Sequence, residues 1–281
     1  MSADFFHILK LVDDPDPTVK AAVEKYFQQF EGDISEQLAG AGIGLTKLEQ
    51  DIIAPYLIAG RRKILADAWV VPNRFLSNDS VDWETFEHLL SLLADYLHDG
   101  TSLRPSLADS LDQISDEIHL SGLPITVDGL SEFLFKQGRF SGNRKEYFAK
   151  ENSDLVWVIH NNKGNPVSLV VLFMLLAQRF NLDVQGCNYP GHFLAWVDDA
   201  ESSYLIDTYN QGRVLKPKKV MRDNPNISEN ARESLSGPCS LNAIIQRTLN
   251  NVEASFEKED LLDELPFIQR LRKSLQPVHI S

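Results

Sequence analysis

Hydrophobic residues in the first 120 positions recur at helical spacing between short turn-forming links, which predicts a run of helices. Asp16 and Pro17 supply a cap and a proline at a first helical position. The apolar residues that follow share one face: Val19, Val23, Tyr26, Phe27 and Phe30. Further helices are predicted over 46–65, 82–97 and 107–120. A break is expected near Pro55, because a proline inside a helix removes a backbone donor.

The glycine-rich stretch GAGIG, residues 40–44, has the composition of a phosphate loop but not its context. It follows a predicted helix rather than a strand, and no Gly-Lys-Ser or Gly-Lys-Thr comes after it. We therefore expect a link between two helices here.

The pattern changes after Gly122. GRFSGN, residues 138–143, predicts a tight loop, and residues 153–162 predict a helix or a short strand. Asn165 is a good N-cap, and a proline at 166 suits the first helical position. Residues 166–180 are apolar on nearly every side, which is typical of a central, buried helix.

Three strand-like pieces follow at short intervals: DVQGCNY, HFLAWVD and SYLIDTY. A buried helix followed by short strands favours an α+β fold, with an antiparallel sheet packed on that helix. SLNAIIQRTLNNVEASF predicts a closing helix, and the charged residues after it predict a short helix on the surface.

Composition narrows the class of protein. The chain has 281 residues, 43% of them hydrophobic, and a net charge of -13, as in an ordinary globular protein with a solvated acidic surface. This charge argues against nucleic acid or an anionic membrane as the main partner. No signal-peptide pattern opens the chain, and the longest apolar run falls short of the ~20 residues that cross a bilayer. We expect a cytoplasmic protein that acts without a membrane.

Two residues after the central helix could carry chemistry. His192 stands directly behind a Pro-Gly turn, and Asp207 ends an apolar strand. Papain-like thiol enzymes place a nucleophile at a buried helix start, then a histidine and an orienting acid on strands. Because buried acids are usually paired, we expect Asp207 to bind His192. This pair is either the base of a catalytic triad or a structural link between two strands.

Several motifs in the right order resemble one known family: FLFKQGRFSGN, NSDLVWVIHNNKGNPVSLVVLFMLLAQRFNL, YPGHFLAW, LIDTYNQG and PCSLNAIIQRTLNNV. They are similar to the bacterial SirB-type branch of the transglutaminase-like superfamily over roughly residues 127–255. The resemblance implies a papain-like core and a Cys-His-Asp triad in active relatives. His192 and Asp207 match the histidine and aspartate of that triad. Pro166 stands at the position of the nucleophile and has no nucleophilic atom.

Three other residues carry an atom that could serve as a nucleophile. Ser168 lies two positions into the helix but projects about 200° away from position 166. Cys187 stands five residues before His192. Most free cysteines are buried and inert, so packing is the simpler role for Cys187 and also for Cys239.

The sequence thus predicts a helical N-terminal region over 1–122, a transglutaminase-like core over 123–256 and a helical tail over 257–281. The expected function is that of a non-catalytic protein that acts through a protein partner, in regulation. The alternative is a papain-like hydrolase or acyltransferase using His192 and Asp207 with Cys187 or Ser168. No cofactor is predicted. No metal site is predicted either, because the histidines lack ligand spacing and no HExxH occurs.

Overall fold

The structure is a computed structural model, and it describes residues 3–77, 81–199 and 202–276. It divides into two compact units, each drawn from two stretches of chain. The first consists of Met1–Val70 and Asp95–Pro105, and the second of Val71–Ala94 and Ser106–Ser281. These units follow spatial packing rather than chain order, and the division expected at residues 122 and 256 stays a prediction.

The first unit is helical, as the periodicity predicted. Its helices are α1 (Ala3–Leu9), α2 (Pro17–Phe27), α3 (Ser35–Ala41) and α4 (Lys47–Ala68). Asp16 caps α2 by accepting from the backbone N–H of Thr18 at 2.7 Å. Helix α3 ends at Gly42, whose φ of 68° gives the left-handed C-cap that glycine favours. GAGIG is therefore the end of a helix and a link, as expected.

The break expected near Pro55 is wrong. Helix α4 runs without interruption from Lys47 to Ala68, with Pro55 inside it. Pro55 lies on the exposed side of the helix, where water can satisfy the carbonyl that loses its intrahelical partner. A capping box between Thr46 and Glu49 fixes the start of this helix.

The second unit contains the remaining helices and the strands. Its helices are α5 (Asn73–Ser77), α6 (Trp83–Leu97, whose last residues belong to the first unit), α7 (Leu107–Leu120), α8 (Val127–Ser131), α9 (Leu155–Asn161), α10 (Pro166–Arg179), α11 (Pro217–Asp223), α12 (Glu229–Ser234), α13 (Leu241–Lys258) and α14 (Leu265–Ser274). A π-helical turn, Glu132–Lys136, continues α8. The strands are β1 (Ser141–Gly142), β2 (Lys163–Gly164), β3 (Gln185–Cys187), β4 (Leu194–Asp198), β5 (Ser203–Asp207) and β6 (Arg213–Leu215).

Helix α10 is the centre of this unit. Residues 166–177 are all buried, and the helix contacts α7, α8, α9, α13, β3 and β4. The sheet beside it has the order β3-β4-β5-β6 with antiparallel pairing throughout. The predicted α+β fold, with a buried helix against an antiparallel sheet, is confirmed. Strand β6 was not predicted, because a three-residue strand with exposed side chains carries no hydrophobic alternation.

Two expectations about local structure need correction. The GRFSGN segment is more than a loop, because Ser141 and Gly142 pair in parallel with Lys163 and Gly164 just before α10. The C-terminal helix α14 is charged but does not lie freely on the surface. Its apolar face is buried and the helix contacts α13; the buried residues are Phe267, Ile268 and Leu271. Across the described residues, no helix is long and apolar enough to span a membrane.

Candidate functional site

His192 is positioned by a tight turn at the entry to β4. Its backbone N–H donates to the carbonyl of Tyr189 at 3.1 Å, which closes a turn with Pro190 and Gly191 at the centre. Gly191 has a φ of 77°, and Pro followed by a positive-φ glycine is typical of a type II turn. The turn leaves the imidazole partly accessible, with 27% of the side chain exposed.

Asp207 is held at the end of β5 and is almost fully buried, with 2% of its side chain exposed. It caps the short 3-10 helix Thr208–Asn210. The Asn210 backbone N–H donates to Asp207 Oδ1 at 3.1 Å, and the Asn210 amide donates to Oδ2 at 2.8 Å. These contacts fix the orientation of the carboxylate independently of the histidine.

The two side chains meet as the sequence predicts. His192 Nε2 lies 2.8 Å from Asp207 Oδ1. Burial alone would raise the pKa of Asp207. Hydrogen bonds from His192 and Asn210, together with the charge of His192, outweigh the effect of burial. The pKa of Asp207 therefore lies below its ordinary value of 3.8. An ionised carboxylate only accepts, so Nε2 carries the hydrogen and Nδ1 is left as the ring atom for a second group. This is the geometry of an oriented base.

The start of α10 is occupied by a closed hydrogen-bond network. Pro166 is buried at the first position of the helix. Asn165 Oδ1 accepts from the Ser168 backbone N–H at 2.9 Å, while the Asn165 amide donates to the carbonyl of Asn152 at 3.2 Å. The Ser168 hydroxyl donates to the carbonyl of Asn165 at 3.1 Å. The hydroxyl of Ser168 is therefore used to satisfy the helix start, as helix-start serines often are.

Cys187 lies on β3 with its side chain fully buried. Its thiol donates to the carbonyl of Ser234 at 3.1 Å. It packs in an apolar cluster with Leu194, Trp196, Leu205 and Leu235. Burial raises the pKa of this thiol from 9.0 to about 12. A thiol in this setting is a packing residue rather than a ready nucleophile.

Cys239 stands just before the cap of α13 and is half-buried. Its backbone N–H donates to the carbonyl of Gly186 at 2.7 Å and forms an isolated bridge to β3. Burial, with a smaller effect from the neighbouring Cys187, raises the pKa of the Cys239 thiol to about 12. Its backbone contact with β3 joins the segment before α13 to the sheet.

Tyr209 is a neighbour of the pair that no sequence motif indicates. Its ring lies edge-on to the His192 imidazole, with ring centroids 6.2 Å apart. Gly142 of β1 packs directly beneath this ring, and a methyl group at Gly142 would overlap it. The signal was present in GRFSGN, whose second glycine is required by close approach rather than by a turn. Residues 141–142 thus belong to the surroundings of His192.

The described residues offer no obvious metal site. No group of three or more His, Cys, Asp or Glu side chains within them is arranged to hold a metal ion. His88 lies on α6, and His160 lies at the exposed end of α9.

Comparison with known proteins agrees with this architecture. The sequence profile of the transglutaminase-like superfamily matches residues 102–250, just over half of the chain. The chain belongs to the transglutaminase-like superfamily. The matched region includes the start of α10, His192 and Asp207. Assignment to the SirB-type branch stays a prediction.

Relatives of this transglutaminase-like chain include proteins from bacteria and from mammals. A UPF0162 protein from Xylella fastidiosa (strain Temecula1) is 27% identical over 196 residues, covering 66% of this chain and 70% of that protein. F-box only protein 21 from Homo sapiens is 26% identical over 197 residues, covering 67% of this chain and 30% of that protein. Family membership alone therefore does not make the chain bacterial. No solved structure matches the chain significantly.

Proposed function

We propose that this protein is a non-catalytic member of the transglutaminase-like superfamily, from its SirB-type branch, that acts in regulation by binding a protein partner. The observation that carries the proposal is the proline at position 166, where the resemblance implies the nucleophile. The proposal places the protein in the cytoplasm of a bacterium. The net charge of -13 supports a protein partner over nucleic acid or an anionic membrane.

The surroundings of Pro166 support this proposal. Pro166 is buried, and the helix start around it is closed by the contacts of Asn165. Nucleophiles at helix starts need an accessible atom that can lose a proton to a neighbouring base. Proline supplies no such atom, and the hydroxyl of Ser168 is already donated to the Asn165 carbonyl.

The low reactivity expected of the Cys187 thiol also supports a non-catalytic protein. The pKa of Cys187 is raised from 9.0 to about 12, so its thiolate fraction at neutral pH is about a thousandfold lower than that of an ordinary cysteine. Its hydrogen bond to Ser234 also directs the sulfur to a backbone carbonyl. The retained contact between His192 and Asp207 then serves to join the start of β4 to the end of β5.

The test is alkylation of the folded protein by iodoacetamide at neutral pH, with sites identified by mass spectrometry. We expect slow reaction at Cys187 and Cys239, with the same rates in His192→Ala. The same protein unfolded in urea is the positive control, because both cysteines are then accessible to the reagent. Both should react faster there than in the folded protein.

Circular dichroism establishes that each variant is folded, and His192→Asn serves as a second replacement if His192→Ala is not. A fluorophosphonate probe, compared between the native protein and Ser168→Ala, tests the serine in the same way. Rapid labelling of Cys187 or Ser168 that depends on His192 would show a live nucleophile and overturn the proposal.

A further inference from the structure

A row of aromatic rings runs outward from His192 across the surface of the second unit. Tyr209 lies 6.2 Å from the imidazole, Tyr147 lies 6.2 Å from Tyr209, and Phe148 lies 5.1 Å from Tyr147, measured between ring centroids. All three contacts are edge-on, with interplanar angles of 82–84°. We call His192, Tyr209, Tyr147 and Phe148 the aromatic row.

The outer end of the row is exposed. Tyr147 is 43% and Phe148 is 47% exposed, although both are large aromatic residues. Single exposed apolar residues are normal on a protein surface, whereas these two rings lie side by side. Because the row joins three separate segments of chain through packed rings, it is a continuous surface.

Two cations lie on the rings of this row. The guanidinium carbon of Arg144 lies 5.3 Å from the centroid of Tyr209, and Lys258 Nζ lies 5.6 Å from the centroid of Phe148. Cation–π contacts of this kind hold a positive charge over a ring without neutralising it. The exposed Lys145 adds a third positive charge beside Arg144, against the single acid Glu146 in the same loop.

These cations are not neutralised by close acids. In the described part of the chain, no carboxylate lies within 4.0 Å of Arg144, Lys145 or Lys258. Arg144 donates to a neutral amide oxygen, Asn210 Oδ1, at 2.6 Å. Lys150 differs, because its Nζ lies 2.8 Å from Glu151 and 3.9 Å from Glu259. Arg144, Lys145 and Lys258 therefore lie beside the rings without a carboxylate of the described residues at salt-bridge distance, in a chain with a net charge of -13.

We propose that the aromatic row, together with Arg144 and Lys145, binds an extended acidic segment of a partner protein that carries aromatic side chains. This rests on the proposed function and names the surface that the protein partner uses. Acidic side chains match the uncompensated cations, and rings pack against Tyr147 and Phe148. Tyrosine and arginine are also enriched at the centres of protein interfaces.

The same combination of rings and cations occurs in proteins that bind single-stranded nucleic acid. That binding neutralises one phosphate after another along the strand. Here, among the described residues, only Arg144, Lys145 and Lys258 supply positive charge beside the rings, on a protein with a net charge of -13. A segment with a few carboxylates fits this distribution better than a continuous polyanion.

The test measures fluorescence anisotropy of labelled probes with the full chain. The probe is a fluorescein-labelled peptide that repeats Glu-Glu-Phe. The comparison probes have equal length and repeat Lys-Lys-Phe or Glu-Glu-Ala, and labelled oligothymidylate represents single-stranded nucleic acid. We expect binding of the Glu-Glu-Phe peptide, weaker binding of Glu-Glu-Ala, and no binding of Lys-Lys-Phe.

Two double variants test whether the peptide binds at the aromatic row. Arg144→Glu combined with Lys145→Glu, and Tyr147→Ala combined with Phe148→Ala, should each weaken binding of the Glu-Glu-Phe peptide about tenfold or more. All four side chains are exposed, so the fold should persist. The matched controls are Lys218→Glu with Lys219→Glu on α11, and Leu262→Ala, an apolar residue that is 53% exposed. These should bind the peptide as the native protein does.

Failure of this inference is distinguishable from failure of the proposed function. If the peptide does not bind, if binding is unchanged in both row variants, or if oligothymidylate binds instead, the inference is wrong while the proposed function can stand. If the peptide binds through the row and mass spectrometry shows that it is cleaved or modified, the inference stands and the proposed function is wrong.

Discussion

Asp207 holds the imidazole of His192 through a hydrogen bond of 2.8 Å, and its own carboxylate is fixed by Asn210 on the other side. The acid thus bridges the turn before β4 and the 3-10 helix after β5. Because the carboxylate is 2% exposed, it depends on these partners to remain ionised inside the protein.

Replacing Asp207 with asparagine should lower the free energy of unfolding by about 1–3 kcal/mol at neutral pH, because the charge-assisted hydrogen bond to His192 is lost. Urea denaturation measures this loss. His192→Ala and the double variant complete a cycle that isolates the coupling between the two residues. If the losses of the single variants simply add, the two side chains do not stabilise each other.

The same pair predicts an acid-dependent stability. The pKa of Asp207 is lower in the folded protein than its ordinary value of 3.8, so its contribution is fully present above that value and is lost as the pH falls through the folded pKa. Below about pH 4, the native protein should therefore lose stability more steeply than Asp207→Asn. Urea denaturation at a series of pH values checks this, and equal slopes would contradict it.

Gly142 should tolerate no side chain. A methyl group there overlaps the Tyr209 ring, so Gly142→Ala should cost about 1–3 kcal/mol of stability and displace Tyr209. Thermal unfolding and near-ultraviolet circular dichroism detect the two effects. The matched control is Gly237→Ala, since a methyl group at Gly237 meets no atom within 4 Å. A neutral Gly142→Ala would show that the ring can move away freely.

Asn165 should be needed both as a cap and as a donor. Asn165→Ala loses the acceptor for the Ser168 N–H and the donor to the Asn152 carbonyl, at a cost of about 2 kcal/mol or more. Asn165→Ser keeps a capping acceptor in its hydroxyl oxygen and loses the amide donor. Chemical denaturation should place it between the native protein and the alanine variant. If the two variants are equally stable, the capping acceptor of Asn165 does not contribute to stability.

His98, in the first unit, should make the protein sensitive to mild acid. Burial, followed by the charge of Arg104, lowers the pKa of His98 from 6.5 to about 4. Between these two pKa values the unfolded chain binds a proton that the folded chain does not. The free energy of unfolding therefore decreases as the pH falls, by about 3 kcal/mol in all.

An NMR titration of the His98 ring should give a midpoint near the lowered value. His98→Asn serves as the control variant, because its side-chain oxygen can accept the Gly100 N–H that now donates to His98 Nδ1 at 3.0 Å. It should lose less stability between neutral pH and pH 4 than the native protein. A ring that titrates at its ordinary value would contradict the prediction.

The sequence predicted those features that depend on local pattern. Asn165 and Pro166 mark the start of α10 in any context that allows a helix, and the apolar residues after them leave no polar face. The pairing of His192 with Asp207 followed from a physical need, because a buried acid at the end of a strand requires a partner.

Other features depended on contacts between distant residues and could not be read locally. The pairing of Ser141 with Lys163 joins segments too short to show alternation. Gly142 looked like a turn residue, although its neighbour is Tyr209, far along the chain. The proline in α4 was misjudged because its cost depends on which side of the helix meets water.

Helix α10 has buried residues on every side, and part of its cover comes from α13, which follows it by more than sixty residues. A chain shortened to end before residue 241 would keep His192, Asp207 and the sheet β3-β4-β5-β6. The side of α10 that packs on α13 would then be exposed to solvent. We expect such a fragment to aggregate rather than fold. While it is being synthesised, the protein must therefore keep its most hydrophobic segment shielded until α13 is made.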